Sequence, residues 1–173
     1  VGFIRFSVLF FVTSAAFGQK VKYKDIFALL STKQYEQAEP FLKRYLVEND
    51  DNPNAFLYRG IIFQEKSQKS DVLKQTPAAL SLIDSAILFF DKALKSIDDR
   101  EVRKNKEYYQ AYNRRDLRTG ESGVKLSDIQ FDVEKRILAL KERSDKVKMT
   151  KHYFALADTL YKGSNALFNR VRE

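Results

Sequence analysis

The 173-residue chain has no cysteine and no tryptophan, and only one histidine and one methionine. Without cysteine there is no disulfide framework, no thiolate metal site and no cysteine nucleophile. A single imidazole cannot build a multi-histidine metal centre within one chain. Three prolines and six glycines are too few for a disordered or collagen-like sequence, and 44% hydrophobic residues supply a real core. The length suits one domain. No cofactor and no metal is expected, and no reaction is visible in the residues that remain.

The longest apolar stretch, Phe6 to Phe17, is 12 residues, short of the ~20 that span a bilayer. Arg5 precedes it, Ala16-Phe17-Gly18 closes it with small residues, and Gln19, Lys20, Lys22, Lys24 and Asp25 follow at once. A basic start, a short apolar centre and a small-x-small exit are the parts of a secretory signal peptide. Residues 1–18 are therefore expected to direct export to the periplasm or cell envelope, with cleavage between Gly18 and Gln19 and no transmembrane span afterwards. The other reading of this stretch is a buried N-terminal helix or an uncleaved anchor.

A net charge of +8 invites a nucleic-acid reading. Residues 1–18 hold only Arg5, and no segment of the remainder exceeds +2. Counterion release rewards cations gathered on one face. The most basic stretch, Arg103-Lys104-Asn105-Lys106 with Arg114, Arg115 and Arg118, is interleaved with Asp98, Asp99, Glu101, Glu107 and Asp116. A solvated helix face with Tyr108, Tyr109 and Tyr112 packing inward accounts for it, and no nucleic-acid partner is expected.

Apolar residues recur every three or four positions after residue 22, without sustained alternation. Ile83, Ile87, Phe90, Leu94 and Ile97 draw one stripe, Ile129, Val133, Ile137, Leu140 and Val147 a second, and Tyr153, Ala157, Leu160, Leu167 and Val171 a third. The expected helices cover 21–32, 35–49, 54–68, 77–97, 99–118, 128–147 and 151–171. The fold class is all-α.

Within this pattern, Tyr35, Ala38 and Leu42 are spaced as tyrosine, small, large, and Asp51-Asn52-Pro53 leads into a further helix carrying Phe56, Gly60 and Phe63. Ala86, Phe90 and Ala93 reproduce the alanine–large–alanine spacing after an inserted stretch from Lys66 to Ala79. In these respects residues 19–97 resemble the tetratricopeptide repeat family. The resemblance implies helical hairpins stacked into a right-handed superhelix, with Gly60 and Ala38 letting paired helices approach closely. Lys22, Asp25 and Ile26 depart from the family pattern in the first register, as Arg59 does in the second, where leucine is usual. No third repeat fits beyond residue 98, so residues 98–173 are expected to form a helical extension or cap of longer packing helices.

The family also implies a concave face built from the first helix of each repeat. Carried onto these registers, its positions are Lys20, Tyr23, Phe27 and Leu30, then Asn54, Leu57, Ile61 and Gln64. Lys20 and Asn54 are the only two suited to clamp a peptide carboxylate. The rest is too apolar to stay bare on a monomer, so the face is expected to be covered by the chain's own later helices or by an amphipathic partner helix.

Three motifs lack the residues their chemistry needs. Gly120-Glu121-Ser122-Gly123-Val124-Lys125-Leu126-Ser127 has lysine where a phosphate loop needs its second glycine, and no strand is expected before it. Gly120 ending a helix, Ser127 capping the next with Gln130, and a Leu126–Phe131 staple describe it better. In Asp50-Asp51-Asn52-Pro53-Asn54, Ala55 stands where a calcium loop turns on glycine and Ile61 where it needs glutamate. His152 has no partner at metal or catalytic spacing. The expected function is a non-enzymatic, exported interaction or scaffold module that binds a protein or peptide. The alternative is the structural N-terminal part of a larger envelope protein whose activity, such as peptidoglycan attachment, lies in a further C-terminal region.

Overall fold

A computed structural model describes residues 22–115 and 117–172. The segment expected to be a signal peptide, residues 1–18, its expected cleavage site and Lys20 lie outside the described residues. The chain is mostly helical, and a single two-stranded hairpin is the only sheet among the described residues.

Four helices come first: α1 (Tyr23–Ser31), α2 (Tyr35–Glu48), α3 (Pro53–Lys69) and α4 (Thr76–Ser96). Their ends follow local chemistry. After α1, Lys33 turns left-handed at φ 60, and the Lys33 and Gln34 amides donate to the Leu30 and Leu29 carbonyls at 3.0 and 2.9 Å. That bond pair closes a helix whose next residue is left-handed. Before α3, the Asn52 side chain accepts from the Ala55 amide at 3.0 Å and Pro53 takes the first helical position. Asn52 thus caps α3. Asp71 accepts from the Leu73 and Lys74 amides in the turn before α4.

Each helix packs on the next, α1 on α2, α2 on α3 and α3 on α4. Tyr23, Ile26, Leu30, Ala38, Leu42, Ala55 and Ile62 form one core between the first three helices. A second core joins Phe56 and Leu57 of α3, Ile83, Ala86, Phe90 and Ala93 of α4, and the stripe Ile129, Val133, Ile137 and Leu140. Fully burying one such aliphatic side chain contributes about 1.5–3 kcal/mol.

The second half departs from expectation in two places. The helix expected over 99–118 is a short α5 (Asp99–Lys104), a 3₁₀-helix (Lys106–Tyr112) and strand β1 (Asn113–Arg115). β1 pairs antiparallel with β2 (Ser122–Val124), Asn113 facing Val124 and Arg115 facing Ser122. Val102 and Tyr109 are both buried, and the tighter 3₁₀ turn brings Tyr109 into the core seven residues after Val102. Gly120, at φ 77, serves the hairpin turn rather than a helix end. A strand therefore does precede the glycine-rich segment, but Lys125 still occupies the position where a phosphate loop needs glycine.

The two helices expected over 128–147 and 151–171 are one: α6 runs from Leu126 to Arg172, 47 residues. It begins at Leu126, so Ser127 lies inside the first turn instead of capping it, and Phe131 is exposed. No glycine or proline stands between Leu126 and Lys162 to stop the helix. What reads as a break near residue 148 is a change of apolar face on a continuous helix.

Candidate functional site

The family-derived inner face is largely filled from within the chain. Tyr23 is buried, and its hydroxyl donates to Asn54 Oδ1 at 2.6 Å. Asn54 is fully buried, and its Nδ2 donates to the Tyr108 carbonyl at 3.1 Å. The Tyr108 ring meets Tyr23 edge-on at 5.1 Å and Phe27 at 4.8 Å. The 3₁₀-helix thus lies on α1 and α3. Asn54 has both ends of its amide engaged and is not free to clamp a peptide carboxylate. Leu30 and Leu57 are buried, Ile61 is half-buried, and Gln64 Oε1 accepts from Arg136 Nη1 of α6 at 2.8 Å.

The family-derived packing positions lie in the two cores. Ala38 and Leu42 are buried in the first with Tyr35 half-buried against them; Phe56, Ala86, Phe90 and Ala93 are buried in the second. Gly60 faces the Phe90 ring, and Phe63 stacks on Phe89 at 5.7 Å. Arg59, the departure from leucine, spans two partners: its guanidinium bonds Glu39 at 3.0 Å and lies 4.4 Å over the Phe63 ring. Lys66 pairs with the other Glu39 oxygen. Burial alone would raise the Glu39 carboxyl, but Lys66 and Arg59 outweigh it and hold the group below the usual carboxylate range.

Where the 3₁₀-helix and α6 meet the first helices, a cavity of about 580 Å³ remains. Leu30, Leu57 and Ile61 give it an apolar side; Tyr58, Tyr112 and Arg136 give it a polar one. Asp132 accepts from the Tyr112 hydroxyl at 2.8 Å and from Arg136 Nε at 2.8 Å. Burial pushes the Tyr58 hydroxyl up to about 12, with Tyr35 adding to the shift and Arg136 opposing it. Burial, and then the Asp132 carboxylate it bonds, raise Tyr112 as well. Both phenols therefore stay protonated at neutral pH and act as hydrogen-bond donors. The cavity offers an apolar floor and the Tyr58 hydroxyl, while the Tyr112 hydroxyl and the Arg136 guanidinium are already engaged with Asp132. Such a lining suits recognition of a side chain or chain end.

The apolar face was expected to be covered by the chain's own later helices, and the 3₁₀-helix and α6 lie against it; the particular α6 residues Asp132 and Arg136 were not singled out. The i, i+4 pair Asp132–Arg136 was the available signal. Among the described residues no group of three His, Asp or Glu could hold a metal, and His152 is exposed beside the Tyr153 ring. No helix among the described residues is long and apolar enough to cross a membrane.

The chain matches no protein-family model, no curated protein and no solved structure.

Proposed function

We propose that this chain is a non-enzymatic, exported interaction module of tetratricopeptide-like helical hairpins that holds a protein or peptide partner at the cavity between α1, α3 and α6. The observation that carries this reading is the cavity itself. Three positions of the family-derived concave face, Leu30, Leu57 and Ile61, line it beside phenols that stay protonated and an Arg136–Asp132 pair already satisfied. A cavity of about 580 Å³ has room for a chain end or a small group of side chains. It favours a partner that inserts a large side chain with an acceptor for the Tyr58 hydroxyl. Export is supported by the pattern of residues 1–18.

Site-directed photo-crosslinking in envelope extracts tests it. Phe131, exposed at the cavity, is replaced by benzoylphenylalanine, and Val47, exposed on α2 away from it, is the control position. A discrete protein adduct at 131 and none at 47 is expected. Equal labelling at both positions, or none at 131, contradicts the reading.

A further inference from the structure

Among the described residues nothing buries the second half of α6: every residue from Lys148 to Arg172 is exposed, although the helix is unbroken from Leu126. At about 100° per residue, Met149, Tyr153, Leu156, Leu160, Leu167 and Val171 fall on one side. Phe154, Tyr161 and Phe168 widen that apolar arc to about 160°. Lys148, Lys151, Lys162 and Arg170 occupy the remaining side, with Arg172 at the edge of the arc in the last turn. Against these five cations stands one acid, Asp158, already bonded to Lys162 at 2.7 Å. The buried stripe of the first half, Ile129 to Val147, points about 140° around the axis from this arc. The rest of the domain therefore packs on a different side of the helix from the bare face.

We propose that residues 148–172 are a docking face for an anionic lipid surface, with the helix lying along the bilayer rather than across it. A wide apolar arc rich in aromatic residues, opposed by lysine and arginine, is the composition of an interfacial helix. The charge selects this occupant over a second copy of the chain. Two such helices meeting through this arc would leave most of their cations on the outer sides of the pair, with no complementary charge to meet them. A two-stranded seam covers a narrower stripe than this arc and would leave Phe154, Tyr161 and Phe168 in water. A flat surface covers the whole arc, and about 37 Å of helix can lie on it without the domain intervening. Arg172 and Arg170 lie nearest the edges of the arc, where their stems cover apolar surface and their heads reach lipid phosphates, and the three lysines on the remaining side add to the attraction of an anionic surface. This proposal is independent of the cavity and stands if the cavity has no partner.

Co-sedimentation of the full chain with vesicles tests it. Binding is expected to vesicles of phosphatidylglycerol and phosphatidylethanolamine, and to be at least about tenfold weaker to phosphatidylcholine alone. Leu160→Glu with Leu167→Glu should abolish binding while leaving the thermal melt unchanged, since both side chains are exposed. Lys151→Glu with Lys162→Glu should weaken it by about tenfold or more, as should high salt. Equal affinity for both vesicle types overturns the proposal, as does failure to bind either. So does a stable lipid-free dimer in sedimentation that Leu160→Glu dissociates, or an acidic protein that occupies the helix in preference to the anionic vesicles.

Discussion

Gly60 lies flat against the ring of Phe90: a Cβ at position 60 would stand 2.6 Å from Phe90 Cδ1 and 2.7 Å from Cε1. Phe90 is fully buried, so its ring cannot step aside as an exposed side chain could. In an exposed helix interior, alanine would be favoured over glycine by up to ~1 kcal/mol. Here the overlap wins, and Gly60→Ala should lose about 1–3 kcal/mol in a denaturant melt. Adding Phe90→Leu should recover part of the loss. Stabilisation by Gly60→Ala alone would mean that α3 and α4 do not cross at this point.

Asn54 joins three elements, accepting from Tyr23 of α1 and donating to Tyr108 of the 3₁₀-helix. Asn54→Leu removes both bonds and strands a buried phenol and a carbonyl, at a cost of about 1–3 kcal/mol. Tyr23→Phe removes one of the bonds and should cost less. Asn54→Leu should also expose more dye-binding apolar surface, because the segment covering Phe27 and Tyr23 is released, whereas Tyr23→Phe keeps the Tyr108 bond and should not. An unchanged melt for Asn54→Leu would contradict the docking of Tyr108.

The Glu39 pairs predict a pH signature. The folded-state carboxyl titrates below its ordinary value of about 4.3. Its contribution is therefore complete above that value and is lost as the pH falls through the folded-state pKa. Glu39→Gln should be less stable than the parent at pH 7, by about 1–3 kcal/mol since Arg59 is left buried with weaker pairing. The gap should close as the pH drops below about 4. A gap that stays constant from pH 7 to pH 3 would show that Glu39 carries no charge-dependent role.

Lys33 holds a left-handed conformation without being glycine. Lys33→Gly relieves that strain while keeping the turn between α1 and α2, and should raise the melting midpoint by up to about 1 kcal/mol of stability. A loss of stability would mean that the Lys33 side chain, not its backbone, matters there.

The first four helices were legible because their ends carry their own punctuation: Asp51-Asn52-Pro53 before α3 and Thr76-Pro77 at the start of α4. Their bounds shift by two residues at most from those read off the apolar spacing. The inward tyrosines were legible too, but not the backbone that turns them. Tyr108, Tyr109 and Tyr112 fit one face of an α-helix as well as they fit a 3₁₀ turn, and β1 is three residues long with every side chain exposed, so it leaves no alternation to read. The continuity of α6 was hidden for the opposite reason. Val147 ends a buried stripe and Met149 opens a bare one on another face, and periodicity alone cannot separate a change of face from a break in the helix. The cavity depends on the first of these, because Tyr112 on its far wall is placed by the 3₁₀ turn, while Asp132 and Arg136 lie within the helix expected over 128–147. Its apolar floor, Leu30, Leu57 and Ile61, was reached from the repeat register.

The first half of α6 walls the cavity whether or not the helix continues, whereas the bare face of the second half exists only if the helix is unbroken. The chain has no native cysteine, so spin labels can be placed at Leu138→Cys and Phe168→Cys, both exposed, without competing sites. At 1.5 Å per residue a continuous helix separates the two backbones by about 45 Å, and pulsed electron–electron distance measurement should return a single narrow peak near that value. A peak below about 25 Å, or a broad distribution reaching down to it, would mean that the chain folds back near Met149; the bare face would then be buried and the account contradicted.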